Sequence, residues 1–179
     1  MTVDAMKWPQ GLVSRPERPA SDAELDALAG SVFAPLSTIE IEEQITAHKT
    51  ASEGNCIELT FEPSSWQLPK RHLPASYLAF LRYSNGGFFE GAHRNFDPLF
   101  STNELREYML AYGIPSWMPL SLPIGFDGGG SFYLLDMRNE SINNDYPVLF
   151  VHADNLGYDE AITLARSFSE FIETRLGPV

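Results

Sequence analysis

Four Ser-x-x-Glu segments that precede apolar residues at helical spacing indicate where helices begin in this chain. In such a capping box the serine side chain accepts a hydrogen bond from the backbone N–H three residues on, and the glutamate side chain accepts one from the serine N–H. Apolar residues at helical spacing follow each box, so each one predicts the start of a helix. The serines of the four boxes are Ser21, Ser37, Ser101 and Ser167.

A further helix is predicted over 74–84. Pro74 stands in its first turn, where a missing N–H does no harm, and Gly86 or Gly87 can end it in a left-handed conformation. The helices predicted from the four boxes span 22–29, 38–48, 101–113 and the stretch after 167.

Strand patterns occupy the stretches between these helices. Ile57, Leu59 and Phe61 alternate with polar residues, which predicts a strand over 56–62 buried on one face. Proline recurs after residue 113 and predicts irregular or edge structure there. These prolines are Pro115, Pro119 and Pro123.

Two apolar runs, 122–126 and 131–137, flank Asp127 and the three glycines that follow it. Because glycine enters positive-φ conformations at little steric cost, this pattern predicts a hairpin turn. Further strands are predicted over 147–152 and 161–165. The order of elements indicates an α+β fold with a mainly antiparallel sheet and helices packed on it.

The domain organisation follows from the prolines near the amino terminus. Residues 1–35 contain four of them and are predicted to form an extension with a short helix, while residues 36–179 form the domain. The four prolines are Pro9, Pro16, Pro19 and Pro35.

Charge and hydropathy restrict the classes of partner. The chain has 24 Asp and Glu against 12 Lys and Arg, a formal charge of −12, and never places more than two cations together, at Lys70 and Arg71. Unaided nucleic-acid binding is therefore disfavoured, and a cationic protein partner is favoured. The absence of a long apolar run predicts no membrane span and a cytoplasmic protein.

Residues that could carry catalysis are sparse. His93 and Asp97 are the nearest approach to a metal pair, but no third ligand has a diagnostic spacing. The single cysteine, Cys56, excludes an intramolecular disulfide, and no G-x-S-x-G segment occurs. Asp159 and Glu160, like Glu40, Glu42 and Glu43, are interpreted as solvated carboxylates. We therefore expect no enzyme activity, no cofactor and no metal.

Three segments, taken together and in this order, resemble the SUKH superfamily over residues 36–176: the predicted helix followed by Asn85-Gly86-Gly87, the stretch 124–136, and the stretch 165–172. The superfamily includes the yeast cell-wall assembly regulator and bacterial proteins thought to be immunity proteins for delivered toxins. The resemblance implies a non-catalytic domain that binds the active domain of a toxin encoded beside it. The stretch 49–72 departs from the family pattern by inserting the predicted strand.

The same resemblance implies a binding cleft. Its candidate rims are Asn85, Gly86 and Gly87 on one side and Asp127, Gly128 and Gly129 on the other, with Asp136 nearby. From the residues alone, both glycine segments are explained more simply as a helix end and a tight turn.

Three functions remain open on this basis. The first is an immunity protein that neutralises a basic toxin domain, for example a nuclease, by direct binding. The second is a regulatory scaffold of the cell-wall assembly type, which binds partners through the extension and loops. The third is a small-ligand-binding protein or enzyme, which requires a pocket containing perturbed carboxylates.

Overall fold

In the computed structural model, the described residues are 13, 15–52, 61–91, 94–139 and 143–176. Within these ranges seven strands form one antiparallel sheet, and each strand pairs with its neighbours in chain order. The strands are β1 (Arg15–Pro16), β2 (Gly87–Gly91), β3 (Arg94–Leu99), β4 (Ser121–Phe126), β5 (Ser131–Asp136), β6 (Val148–His152) and β7 (Ile162–Ala165).

Six α-helices accompany the sheet in the same part of the chain, and the predicted α+β class is confirmed. Two short 3-10 turns, Pro63–Ser65 and Ala153–Asn155, complete the regular structure described there. The helices are α1 (Asp22–Ser31), α2 (Thr38–Ser52), α3 (Ala75–Tyr83), α4 (Glu104–Ala111), α5 (Ile114–Trp117) and α6 (Phe168–Leu176).

The capping boxes predict the first residues of the helices well, because their hydrogen bonds join residues only three positions apart. Ser21 and Glu24 form the complete reciprocal box at α1. Ser37 and Glu40 do the same at α2, with the Ser37 N–H donating to the Glu40 carboxylate at 2.7 Å. The third box acts differently: the Ser101 hydroxyl donates to Glu104, and α4 begins only at Glu104.

Two sequence predictions need correction. Pro123 lies inside the central strand β4 rather than at an edge, where a register shift between Pro123 and Gly125 accommodates it. The predicted strand over 56–62 includes residues 56–60, and thus Cys56, which lie outside the described residues. Phe61 is not in a strand, and its ring stacks on His48 with centroids 4.0 Å apart.

The core lies on both faces of the sheet centre. Tyr133 and Phe132 are neighbours in β5 and therefore point to opposite faces, yet both are fully buried. Tyr133 meets Phe171 of α6 with ring centroids 5.2 Å apart, and Phe132 meets Tyr112, just after α4, at 4.7 Å.

The amino-terminal segment shares this core. Leu25, Leu28 and Val32 are buried in the same cluster as the sheet residues. Arg106 of α4 also binds the carbonyl oxygens that follow α1. That residues 1–35 form an extension separate from the domain 36–179 stays a prediction.

Candidate functional site

The strand pairings bring most of the predicted site residues to one end of the sheet. Gly87 pairs with Leu99, and Leu99 pairs with Gly125, so β2 begins where β3 and β4 end. The segment Asn85-Gly86-Gly87 and the turn at 127–130 therefore lie at the same end of the sheet, two strands apart.

Asp136 is not part of this group. It pairs with Ser121 at the opposite end of β4 and β5, about 17 Å from Ser131 at the extended-strand rise per residue. A single cleft containing all seven candidate residues is therefore not formed.

The polar atoms of Asn85 are used inside the protein. Its buried side chain donates to the Thr102 hydroxyl at 3.2 Å and accepts from the Thr102 N–H at 2.8 Å. Its own N–H donates to the Arg18 carbonyl oxygen at 3.1 Å. Asn85 thus joins the end of α3 to the loop before α4.

Gly86 and Gly87 allow two backbone segments to approach closely. Both have positive φ, and a Cβ atom on Gly86 would lie 2.8 Å from the Leu99 carbonyl oxygen. One on Gly87 would lie 2.7 Å from the Arg15 carbonyl oxygen. Any side chain at either position collides with backbone, so these glycines are needed to seat β2 between β1 and β3.

Asp127 builds the predicted hairpin turn. Its Oδ1 accepts from the backbone N–H groups of Gly129 and Ser131, each at 2.8 Å, which is the pattern of an Asx turn. Gly128 and Gly130 adopt positive φ, as the three-glycine run predicts. Asp127 and Gly129 are therefore explained by turn formation.

Asp136 belongs to a separate cluster. Its carboxylate accepts from Arg138, whose guanidinium lies 3.5 Å from the centre of the Tyr158 ring. The Tyr158 hydroxyl donates to the Pro119 carbonyl oxygen at 2.6 Å, and burial raises the pKa of Tyr158 to about 12. The hydrogen bond that Arg138 donates to Asp136 raises the pKa of the Arg138 guanidinium, so Arg138 stays charged at neutral pH.

Three exposed carboxylates, those of Asp154, Asp159 and Glu160, lie in the connection from β6 to β7. Ser131 pairs with His152, and Phe150 pairs with Ile162, so this connection is at the same end of the sheet as Asp127. We call the four residues Asp127, Asp154, Asp159 and Glu160 the acidic end.

The strands and turns that form the acidic end contain no Lys or Arg. Neither 121–137 nor 143–165 contains a Lys or Arg, and the nearest ones along the chain, Arg138 and Arg166, follow the opposite ends of β5 and β7. The sequence pattern indicates only solvated carboxylates at Asp159 and Glu160, because their position at the same end of the sheet as Asp127 depends on strand pairing. The sequence signal that could have indicated the acidic end is the absence of Lys and Arg from 121–137 and 143–165.

Asp145 is a buried carboxylate with a structural role. It accepts from the Ser76 hydroxyl at 2.6 Å and from the Tyr146 and Phe168 N–H groups at 2.8 and 3.1 Å. These bonds join the first turns of α3 and α6. Asp145 therefore orients the helices on the sheet.

Metal ligation finds no support in the described residues, where no three His, Cys, Asp or Glu side chains are grouped to hold an ion. His93 lies outside those residues, so the His93 and Asp97 pair is not described. In the same ranges, every helix is too short or too polar to cross a membrane.

One groove, with a volume of about 510 Å³, lies between residues 33–41 and 63–70. Its walls are mostly apolar, with Lys70 as the charged group and no carboxylate among them. The paired or perturbed carboxylates that an enzyme site would need are therefore missing from this groove. Its apolar lining includes Phe33, Leu36, Ile41, Trp66, Leu68 and Leu120.

The strands pair antiparallel in chain order, helices pack on both faces of the sheet, and carboxylates lie at one of its ends. These features define an α+β domain in which the glycine turns shape the backbone. The model of the SMI1 / KNR4 family (SUKH-1) matches residues 67–174, which is more than half of the chain. The chain belongs to this family, and the predicted SUKH resemblance is confirmed. The match begins at residue 67 rather than 36. Curated proteins yielded no match to the chain.

Proposed function

We propose that this chain is a non-catalytic protein-binding domain that neutralises a cognate toxin by direct binding. The observation that carries the proposal is the acidic end, where four carboxylates gather and no Lys or Arg occurs in the strands and turns that form it. Membership of the SMI1 / KNR4 family supports the choice of a protein partner.

The charge distribution favours a basic toxin domain as that partner. A formal charge of −12 attracts cationic surfaces over long range, and a local concentration of carboxylates orients the encounter. A stable complex of this kind buries roughly 1,200 to 2,000 Å² in total. The acidic end then supplies one part of a larger interface.

The proposal excludes catalysis by the candidate residues for a physical reason. The side-chain nitrogen and oxygen of Asn85 are both hydrogen-bonded within the protein, and the Asp127 carboxylate accepts the hydrogen bonds that form its own turn. A general acid or base needs a polar atom directed at a substrate. Turnover of a small molecule by the purified chain, abolished by one polar substitution in an intact fold, would contradict this part.

Copurification tests the proposal most simply. The chain is expressed together with the protein encoded by the adjacent gene to isolate the complex, and the rate at which the two purified proteins associate is then measured at low and high salt. We expect a complex whose association slows as salt rises, because screening shortens the range of the attraction. A neutral partner that associates equally fast at all salt concentrations contradicts the electrostatic basis.

A regulatory scaffold of the cell-wall assembly type is the second candidate, and α2 favours it. No described side chain of this helix up to residue 50 is buried, and Ile39 is 68% exposed. We expect Ile39→Lys to lose partners if the chain is a scaffold, and to leave toxin binding at the acidic end unchanged if it is an immunity protein.

A further inference from the structure

Strand β7 forms one edge of the sheet. It pairs with β6 on one side, and within the described ranges no strand pairs with its other side. Ile162 and Thr163 are exposed, Leu164 is 37% exposed, and only Ala165 of the strand is buried. The backbone edge and the side chains beside it are thus open to a partner.

Sheet edges in proteins are usually protected by lysine, proline or a covering segment. Residues 161–165 contain no charged residue and no proline, and the register shift in this pairing leaves Leu164 of β7 as an extra residue between Thr163 and Ala165. β7 is short and carries a bulge at Leu164, which limits pairing at its carboxyl end, but at Ile162 and Thr163 neither charge nor proline prevents another strand from pairing.

The charges around β7 determine which kind of partner strand it attracts. Asp159 and Glu160 directly precede the strand, and Asp154 lies at the same end. A second copy of the chain would bring another −12 to this place, which disfavours self-association. A cationic segment is attracted instead.

We propose that β7 accepts an extended, cationic segment of the protein partner as an additional strand of the sheet. Backbone hydrogen bonds at Ile162 and Thr163 supply the pairing, apolar side chains of the segment contact the exposed Ile162 and Leu164, and Lys or Arg side chains meet Asp159 and Glu160. The inference rests on the proposed function and names the surface that it uses.

A synthetic peptide provides the direct test. The probe is a fluorescent, end-blocked eight-residue peptide of alternating lysine and valine. Its counterpart alternates lysine and proline, which has the same charge but cannot supply a full set of backbone donors. We expect the valine peptide to bind at least about tenfold more tightly, and amide hydrogen exchange at 162–165 to slow on binding.

Variants of the chain separate the edge from general charge. The double variant Ile162→Lys/Leu164→Lys places two cations on the edge strand. The matched control Ala23→Lys/Ala27→Lys adds the same charge at exposed positions of α1. We expect the edge variant to lose about tenfold or more in affinity for the valine peptide, and the control to change by less than about threefold.

Several results overturn the proposal. These are equal binding of the two peptides, unchanged exchange at 162–165, and equal affinity losses in the two variants. Dimerisation of the chain in sedimentation, abolished by the edge substitutions, assigns the edge to a second copy and also overturns it.

The protein encoded by the adjacent gene separates this inference from the proposed function. If it binds the wild-type chain and the edge variant equally, the edge inference fails and the proposed function stands. If it does not bind at all while the valine peptide still protects 162–165, the proposed function fails and β7 stands as a strand-accepting edge.

Discussion

Two tyrosine hydroxyls have opposite surroundings in this protein. Tyr77 of α3 is fully buried, and its hydroxyl has no hydrogen-bond partner among the residues that the structure describes. Burial and the charge of Glu104 raise its pKa, so the group stays neutral. The Tyr158 hydroxyl, by contrast, donates to a carbonyl oxygen.

Tyr77→Phe is expected to stabilise the protein. The substitution removes a polar atom that was taken out of water without compensation, so the free energy of unfolding should rise by about 1 kcal/mol. Tyr158→Phe removes a hydroxyl that has a partner and should lower it by about 1 kcal/mol. Urea unfolding measures both changes, and equal losses in the two variants contradict the account of Tyr77.

Gly86 and Gly30 form a second matched pair. Gly86→Ala forces a Cβ against the Leu99 carbonyl at a positive φ, whereas a Cβ on Gly30 in α1 meets nothing within 4 Å. We expect Gly86→Ala to lower the free energy of unfolding by more than about 2 kcal/mol, and Gly30→Ala to raise it by about 0.5 to 1 kcal/mol. Thermal unfolding gives the comparison, and a neutral Gly86→Ala would show that the close approach is not needed.

The residues of the candidate site were only partly predictable. The positive φ of Gly86 and Gly128 and the turn at Asp127 follow from local chemistry, because glycine and aspartate act within a few residues of themselves. The partner of Asn85 is Thr102, 17 residues away. No periodicity connects such residues, so only the fold reveals that contact.

Arg106 connects α4 to the end of α1 and to the start of α2. Its guanidinium donates to Glu40 at 2.7 and 3.0 Å and to the carbonyl oxygens of Ser31, Val32 and Ala34 at 3.0 to 3.1 Å. It thereby compensates carbonyl groups at the end of α1 and fixes the start of α2. The hydrogen bond to Arg106 lowers the pKa of Glu40 to about 2.

Arg106→Gln should lower the free energy of unfolding at pH 7 by roughly 1.5 to 3 kcal/mol, because the half-buried pair and its carbonyl contacts are lost together. The stability that comes from the lowered pKa of Glu40 is present above its unfolded value of about 4.5 and is lost as the pH falls toward 2. The difference between wild type and variant should therefore shrink over that range. Denaturant unfolding at several pH values measures it.

Arg82→Gln is the control for this prediction. Arg82 and Asp22 form an ion pair at 3.2 Å in which both side chains are more than half exposed. Such a pair contributes less than about 0.5 kcal/mol. Equal effects of the two substitutions, or a difference that does not change between pH 4.5 and 2, contradict the role assigned to Arg106.

The sequence predicts the positions of helices and hairpins more accurately than it predicts which distant strands pair. The Ser21 and Ser37 boxes place the starts of α1 and α2, because both partners lie three residues apart. The position of Pro123 in a central strand could not be predicted, because it depends on the bulge that accommodates it. The pairing of β1 with β2 joins Arg15 to Phe88, and no local pattern indicates it.

The whole molecule has an uneven charge distribution that arises from its topology. Consecutive antiparallel strands return the chain to the same end of the sheet, so Asp127 and the carboxylates of 154–160 lie at one end although they are far apart in sequence. Composition predicted an acidic protein with a cationic partner. Strand order was needed to show where carboxylates concentrate.

The association rate with the protein encoded by the adjacent gene tests the central claim. The acidic-end variant is Asp154→Asn/Asp159→Asn/Glu160→Gln. The control, Asp26→Asn/Glu42→Gln/Glu43→Gln, removes the same charge from exposed positions of α1 and α2. At low salt, stopped-flow mixing should show the acidic-end variant associating about tenfold more slowly than wild type, and the control less than about threefold more slowly. Equal slowing in both variants, or none in either, contradicts binding through the acidic end.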